Sequence, residues 1–265
     1  RKMVKKRRLI AVGDPLQAIY GFRGASVESM GEMMYMFSMT RRYLTCSFRC
    51  GKLITEHAHW IAPDMKSPAW AIDGEVAEYL TWTADQLEYG DAIICRNNAP
   101  LFSLAMKLIE AGKLPEIAGR DVGLPITKIM KTLGKPTMLS LAAVEAVTDW
   151  KERELRRSRA GAKGQVRDKA AIMLMMISKA INLGGAIEYL EALLARKGRI
   201  HLMTGHKSKG LEFDRVWFLD KDLCDIKKGQ DANLRYVIQT RAKAFLGYIT
   251  SEGYTTDEDE LDANL

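Results

Sequence analysis

Cysteine is scarce in this sequence: four in 265 residues, at positions 46, 50, 95 and 224. So few, so unevenly spaced, they exclude a disulfide framework and point to a reducing, cytoplasmic setting. Long apolar runs are missing too. The longest, Ala170 to Ser178, has nine residues, against roughly 20 for a membrane-spanning helix, so a soluble protein is expected. No charged region followed by an apolar stretch and a small-residue cleavage site opens the chain, and nothing indicates export. Solenoid repeats and low-complexity linkers are absent as well. At 47% hydrophobic and 28% charged, the chain can bury a substantial core, which excludes a disordered tail or a collagen-like fibre.

Positive charge is in surplus, by 40 Lys and Arg to 33 Asp and Glu, for a net +7. From Ser251 onward there are six acids and no Lys or Arg, so residues 1–250 carry +13. A body that basic suits a polyanionic partner, most simply nucleic acid; the bland alternative is a solvated surface. Eight Lys or Arg against three acids lie between Lys151 and Lys169.

Leu9–Val12, Asp91–Cys95, Arg199–Thr204, Val216–Leu219 and Phe245–Ile249 read as short apolar strands, the form expected of a parallel sheet covered on both faces. Helical periods lie between them, at Leu101, Leu104, Ala105 and Leu108 ahead of Gly112, and at Ile187, Leu190, Leu193 and Leu194 ahead of Gly198. Alternating strands and helices predict an α/β domain. Residues 121–198 break that rhythm and read as a mainly helical insertion, with Met173, Met175 and Met176 as core filler. Cys46-x3-Cys50 followed by His57-x-His59 has cysteine spacing within zinc habits, but its histidines are too close together. An apolar cysteine pair and two helix-surface imidazoles are preferred, and no metal ligand is assigned.

Four short segments each combine a cation with polar groups, the first and third with glycine as well. Val12-Gly-Asp-Pro-Leu-Gln-Ala-Ile-Tyr-Gly-Phe-Arg-Gly24 reads as a loop at the carboxyl end of a strand, where α/β sheets bind ligands. Its Gln17 suits a water or phosphate oxygen, and Phe22 with Arg23 suits bases and phosphate. In Thr45-Cys-Ser-Phe-Arg49, Phe48 offers a flat face and Arg49 a planar fork. Met203-Thr-Gly-His-Lys-Ser-Lys-Gly-Leu-Glu-Phe213 groups His206, Lys209 and Glu212 around Gly210. Tyr236-Val-Ile-Gln-Thr-Arg-Ala242 places Arg241 where an arginine finger could act.

In this order the four segments resemble motifs III, IV, V and VI of superfamily 1 DNA helicases of the UvrD/Rep/PcrA type. The third looks like that family's T-x-H-x-x-K-G-L-E-F, and the first like its G-D-x-x-Q-x-I-Y-x-F/W-R-G-A. The resemblance implies that Gln17 contacts the γ-phosphate and attacking water of ATP, while Arg49 and Arg241 clamp that phosphate. It implies adenine on Phe48 and ribose at Glu212, with Gly210 beside the nucleotide. Tyr20, Phe22 and Arg23 would touch single-stranded DNA, and Thr204, His206 and Lys209 would line the DNA side or couple it to the nucleotide. The family's N-Y-R-S stands here as Ser47-Phe-Arg-Cys50, and Gln239 replaces an apolar or small residue.

The sequence holds neither G-x-x-x-x-G-K-[S/T] nor a D-E-x-x segment ahead of the first motif, so the phosphate-cradling lysine and the Mg²⁺ ligand are expected from a missing N-terminal part. The expected organisation is the end of a first RecA-like domain at residues 1–44, then a second RecA-like motor domain at 45–265 with the helical, basic insertion and an acidic tail at 251–265. The expected function is the C-terminal motor half of an ATP-dependent DNA helicase, translocating 3′ to 5′ on single-stranded DNA and unwinding duplex junctions, inactive alone. The alternative is a non-catalytic nucleic-acid-binding module or motor relic.

Overall fold

Strands that are apolar along their whole length need cover on both faces, and they receive it in the computed structural model, which describes residues 9–21, 26, 28–227 and 229–255. Six strands, β1 (Glu75–Glu78), β2 (Ala92–Cys95), β3 (Pro115–Ile117), β4 (Ile200–Thr204), β5 (Phe213–Leu219) and β6 (Ala242–Ile249), form one sheet in the order β1-β6-β5-β2-β4-β3. Every neighbouring pair is parallel. This is the architecture of a RecA-like parallel-sheet domain. β2 lies inside the sheet between β4 and β5, and all four of its residues are buried.

The two-residue period of a strand divides the core. Ala92 and Ile94 face one layer with Val216, Phe218 and Leu246, covered by α2 (Lys52–His57) and α8 (Gly229–Gln239). Ile93 and Cys95 face the other with Leu202, Trp217 and Leu219, covered by α3 (Asn98–Glu110) and the helices beyond it. Trp217 is held from below by Asp91, which is 1% exposed and accepts from Trp217 Nε1 at 2.6 Å and Arg215 Nε at 3.0 Å.

The predicted helical stretch holds α4 (Arg120–Leu133), α5 (Ser140–Arg157), α6 (Lys163–Ser178) and α7 (Leu183–Ala195), all between β3 and β4. Met173 and Met176 are fully buried and Met175, partly buried, packs against the same core, so these methionines fill core as expected. The insertion shares its buried core with α3 and the sheet, and one carboxylate adds a polar fastening. Asp168 of α6 accepts from Ala99 N at 2.7 Å, Asn98 N at 3.2 Å and Asn98 Nδ2 at 3.0 Å. It thus satisfies orphan N–H groups at the start of α3 with a negative charge.

Two strands escape the sequence reading. β1 carries glutamate at both ends, and β3 has three residues opening on proline, so neither shows an apolar run. One expected strand does not form: Leu9–Val12 is irregular, with Ile10 89% and Val12 83% exposed. An apolar strand is stable only when neighbours pair it and cover it, and among the described residues none does. The next element, α1 (Ser29–Phe37), buries none of its residues, and Tyr35 is 91% exposed. No helix among the described residues is long and apolar enough to cross a membrane.

Asp168→Ala is expected to lower the unfolding free energy by about 1–2 kcal/mol, the usual cost of losing a helix cap. Urea unfolding of both proteins measures it; an unchanged midpoint would show that the insertion is held by packing alone.

Candidate functional site

The four cation-bearing segments meet at one cleft of about 540 Å³. Asp14 and Gln17 come from the first, Thr45 to Arg49 from the second, Glu212 from the third, and Tyr236 and Thr240 from the fourth, joined by Leu44, Met65 and Lys243. Glu212 immediately precedes β5, and Thr240 stands two residues before β6 begins. This part of the cleft therefore opens at the amino ends of the strands. That corrects the expectation of a site at carboxyl ends, as does the loss of a strand ahead of Gly13. The physical reason is the register: Phe213 pairs with Ala242, so the residues before both strands emerge side by side.

Arg49 and Glu212 form the centre. Arg49 donates through Nε to Glu212 Oε2 at 2.9 Å and through Nη1 to the Thr240 carbonyl at 3.1 Å. Arg49, and then Lys243 at 3.6 Å, hold the Glu212 carboxyl below the usual range and therefore ionised. Asp14 organises the first segment where it lines the cleft. Its Oδ1 accepts from Leu16 N at 2.9 Å and its Oδ2 from Gln17 Nε2 at 2.8 Å. With its amide nitrogen committed there, Gln17 has its amide oxygen as the end suited to accept from a water. Phe48 is 73% exposed and stacks at 6.1 Å and 30° on Trp70, itself 74% exposed.

Arg241 does not line the cleft. It is 1% exposed, donating from Nε to the Val237 carbonyl and from Nη1 to the Leu211 carbonyl, each at 2.9 Å. Burial, then Arg49, lower its pKa to about 10, so it stays charged at neutral pH. The guanidinium lies sheathed beneath the floor, beside the cation that does face the cleft.

Tyr20, His206 and Lys209 form a second cluster. The Tyr20 hydroxyl donates to the His206 carbonyl at 2.7 Å, and Lys209 Nζ donates to the Gln17 carbonyl at 2.6 Å while lying 5.5 Å from the Tyr20 ring centroid. The first segment is anchored further by Ile19, 1% exposed, and by Asn233, which donates to the carbonyls of Pro15 and Ala18 at 3.2 Å each. Thr204 is buried at the end of β4. Gly210 has φ +91°, a backbone that a side chain would strain. Phe22 and Arg23 lie outside the described residues.

Sequence reasoning overlooked Lys243, Asp14 and Trp70. Lys243 stands two residues beyond Arg241, just past the end of the fourth segment; Trp70 carried no signal. Gln239, singled out as a departure, is 1% exposed and bridges two rings, accepting from Trp60 Nε1 at 3.0 Å and donating to the Tyr248 hydroxyl at 2.7 Å. His57 lies 2.7 Å from that same hydroxyl, whereas His59 contacts the Met65 carbonyl at 2.8 Å. Among the described residues no group of three His, Cys, Asp or Glu side chains is placed to hold a metal.

Comparison with known proteins adds two findings. Residues 1–37 match the model of the UvrD/REP helicase N-terminal domain, a span that includes Gln17 but not Phe48, Glu212 or Arg241. The F-box DNA helicase protein 1 of Schizosaccharomyces pombe is 32% identical over 80 residues, which take in 30% of this chain and 9% of that protein. The chain is thus similar to DNA helicases over short stretches.

The Arg49–Glu212 pair is half exposed, and ion pairs of that kind contribute little to folding. Glu212→Gln is therefore expected to leave the urea midpoint unchanged; a lowered midpoint would make the pair a structural clamp instead.

Proposed function

We propose that the chain is the C-terminal motor half of an ATP-dependent DNA helicase. In this reading residues 1–44 end a first RecA-like domain and residues 45–265 form the second, with an insertion at 121–198 and an acidic tail at 251–265. The observation that carries it is the convergence on one cleft of four segments spread from Asp14 to Thr240. A cleft of this size suits a nucleotide, since small-molecule sites run to about 300–1,000 Å³, and its wall pairs an open aromatic face with two cations, Arg49 and Lys243.

The geometry suggests how the residues would work. Phe48 offers a ring face to the base, and Glu212 stands within reach of the ribose beside Gly210. Triphosphate oxygens would compete with Glu212 for Arg49, a cheap exchange because the pair is half exposed. Gln17, held by Asp14, would orient the attacking water. Arg241 would act after leaving its carbonyl partners, adding a second cation at the γ-phosphate. The cleft carboxylates, Asp14 and Glu212, are already engaged by Leu16, Gln17, Arg49 and Lys243. Ligands for Mg²⁺ and a phosphate cradle would therefore come from the rest of the first RecA-like domain, which would also cover the exposed side chains of Ile10, Val12 and Tyr35.

Single-stranded DNA would lie over Tyr20, Phe22, Arg23, His206 and Lys209, with Thr204 acting from beneath as part of the scaffold. The Lys209–Gln17 hydrogen bond joins that surface to the nucleotide wall, so closure around ATP would move the DNA contacts. Translocation 3′ to 5′ follows the helicases whose motifs the chain resembles. The rival reading, a nucleic-acid-binding module without catalysis, gives no use to four nucleotide-facing segments gathered at one cleft.

The chain alone is expected to show no ATP turnover. With a first RecA-like domain added in trans, DNA-stimulated hydrolysis is expected, falling about 10³-fold or more on Arg241→Ala, as for other arginine fingers. Turnover by the chain alone would contradict this reading. DNA binding with no turnover in the reconstituted mixture would favour the binding module.

A further inference from the structure

Phe48 and Trp70 are adjacent large rings, each about three-quarters exposed. Such a pair on open surface has no role in the core. Both stand on firmly held backbone. Lys66 N donates to the Thr45 carbonyl and Ser47 N to the Lys66 carbonyl, each at 2.8 Å, in a parallel bridge beside Cys46. Past Phe48, Lys52 N donates to the Ile72 carbonyl at 3.0 Å and Leu53 N to the Asp73 carbonyl at 2.8 Å. Residues 66–73 are therefore stapled to the chain on either side of Phe48. Between the staples, Ala71 N donates to the Pro68 carbonyl at 2.9 Å and closes a turn that carries Trp70.

Phe48 lines the cleft and Trp70 does not, so the indole covers Phe48 from outside the cleft. A tyrosine at position 48 could be tethered by its hydroxyl; phenylalanine has no such anchor, and its ring direction depends on packing alone. The indole supplies that packing while leaving the cleft-facing side of Phe48 open.

We propose that Trp70 is a positioning residue for the nucleobase. It fixes the Phe48 ring as the inner member of a three-layer stack of base, Phe48 and Trp70. The inference rests on the nucleotide reading of the cleft and adds to it a residue that no motif contains. Because the stack holds only the base, Trp70 matters for nucleosides and not for a bare polyphosphate, a distinction that general damage to the fold would not produce.

The test is calorimetric titration of the 265-residue chain with ATP and with inorganic tripolyphosphate, in wild type, Trp70→Ala and Trp70→Phe. Expected is an affinity for ATP about three- to tenfold weaker in Trp70→Ala, the range of one aromatic pair. Tripolyphosphate binding stays unchanged, and Trp70→Phe restores ATP affinity. If Trp70→Ala binds ATP like wild type, or loses both ligands equally, the role of Trp70 is overturned while the nucleotide cleft stands. If wild type binds neither ligand, the nucleotide reading falls and takes the proposal with it.

Discussion

The cleft depends on the parallel pairing of β5 with β6. That ladder begins with Phe213 N donating to the Arg241 carbonyl at 2.9 Å, which sets Glu212 next to the turn carrying Thr240 and Arg241. A third piece joins when Gly51 N donates to the Lys243 carbonyl at 2.8 Å, bringing Phe48 and Arg49 over the same edge. Backbone hydrogen bonds therefore position the charged groups, and the charges can change partners without moving the frame. The approach is close: a side-chain carbon on Gly74, at φ +73°, would sit 3.1 Å from the Ala244 carbonyl oxygen. Glycine is required there on both counts.

Within that frame the two arginines are placed differently. Arg49 is half-buried and paired with a half-exposed carboxylate, an ion pair that solvent already screens. Arg241 is fully covered, donating to the Val237 and Leu211 carbonyls and to the Thr240 hydroxyl. Moving it costs hydrogen bonds to buried acceptors, which is expensive unless a stronger charge-assisted partner arrives. The helicase reading turns this difference into an order of events, Arg49 first and Arg241 on closure.

Most of the sheet was legible in the sequence because buried parallel strands are apolar at every position, as Ala92–Cys95 and Phe245–Ile249 show. β1 and β3 were not, since an edge strand with polar ends or a proline start looks like loop. Leu9–Val12 has the composition of a buried strand but lies where the described residues supply no neighbour, and composition alone cannot reveal that. The cleft's residue types were readable at Gln17, Phe48, Arg49 and Glu212. Their arrangement was not: which strand ends carry them follows from β5–β6 register, and the sheathing of Arg241 follows from carbonyls 4 and 30 residues away. Lys243, Asp14 and Trp70 gain meaning only from what they touch.

In the motor reading a nucleoside triphosphate binds this cleft and not the basic insertion. Backbone amide NMR of the isotope-labelled chain during titration with ATP tests it most directly. Shifts are expected to concentrate at Gln17, Phe48, Arg49, Glu212 and Thr240. Shifts confined to Lys151–Lys169, or none at saturating ATP, would contradict it.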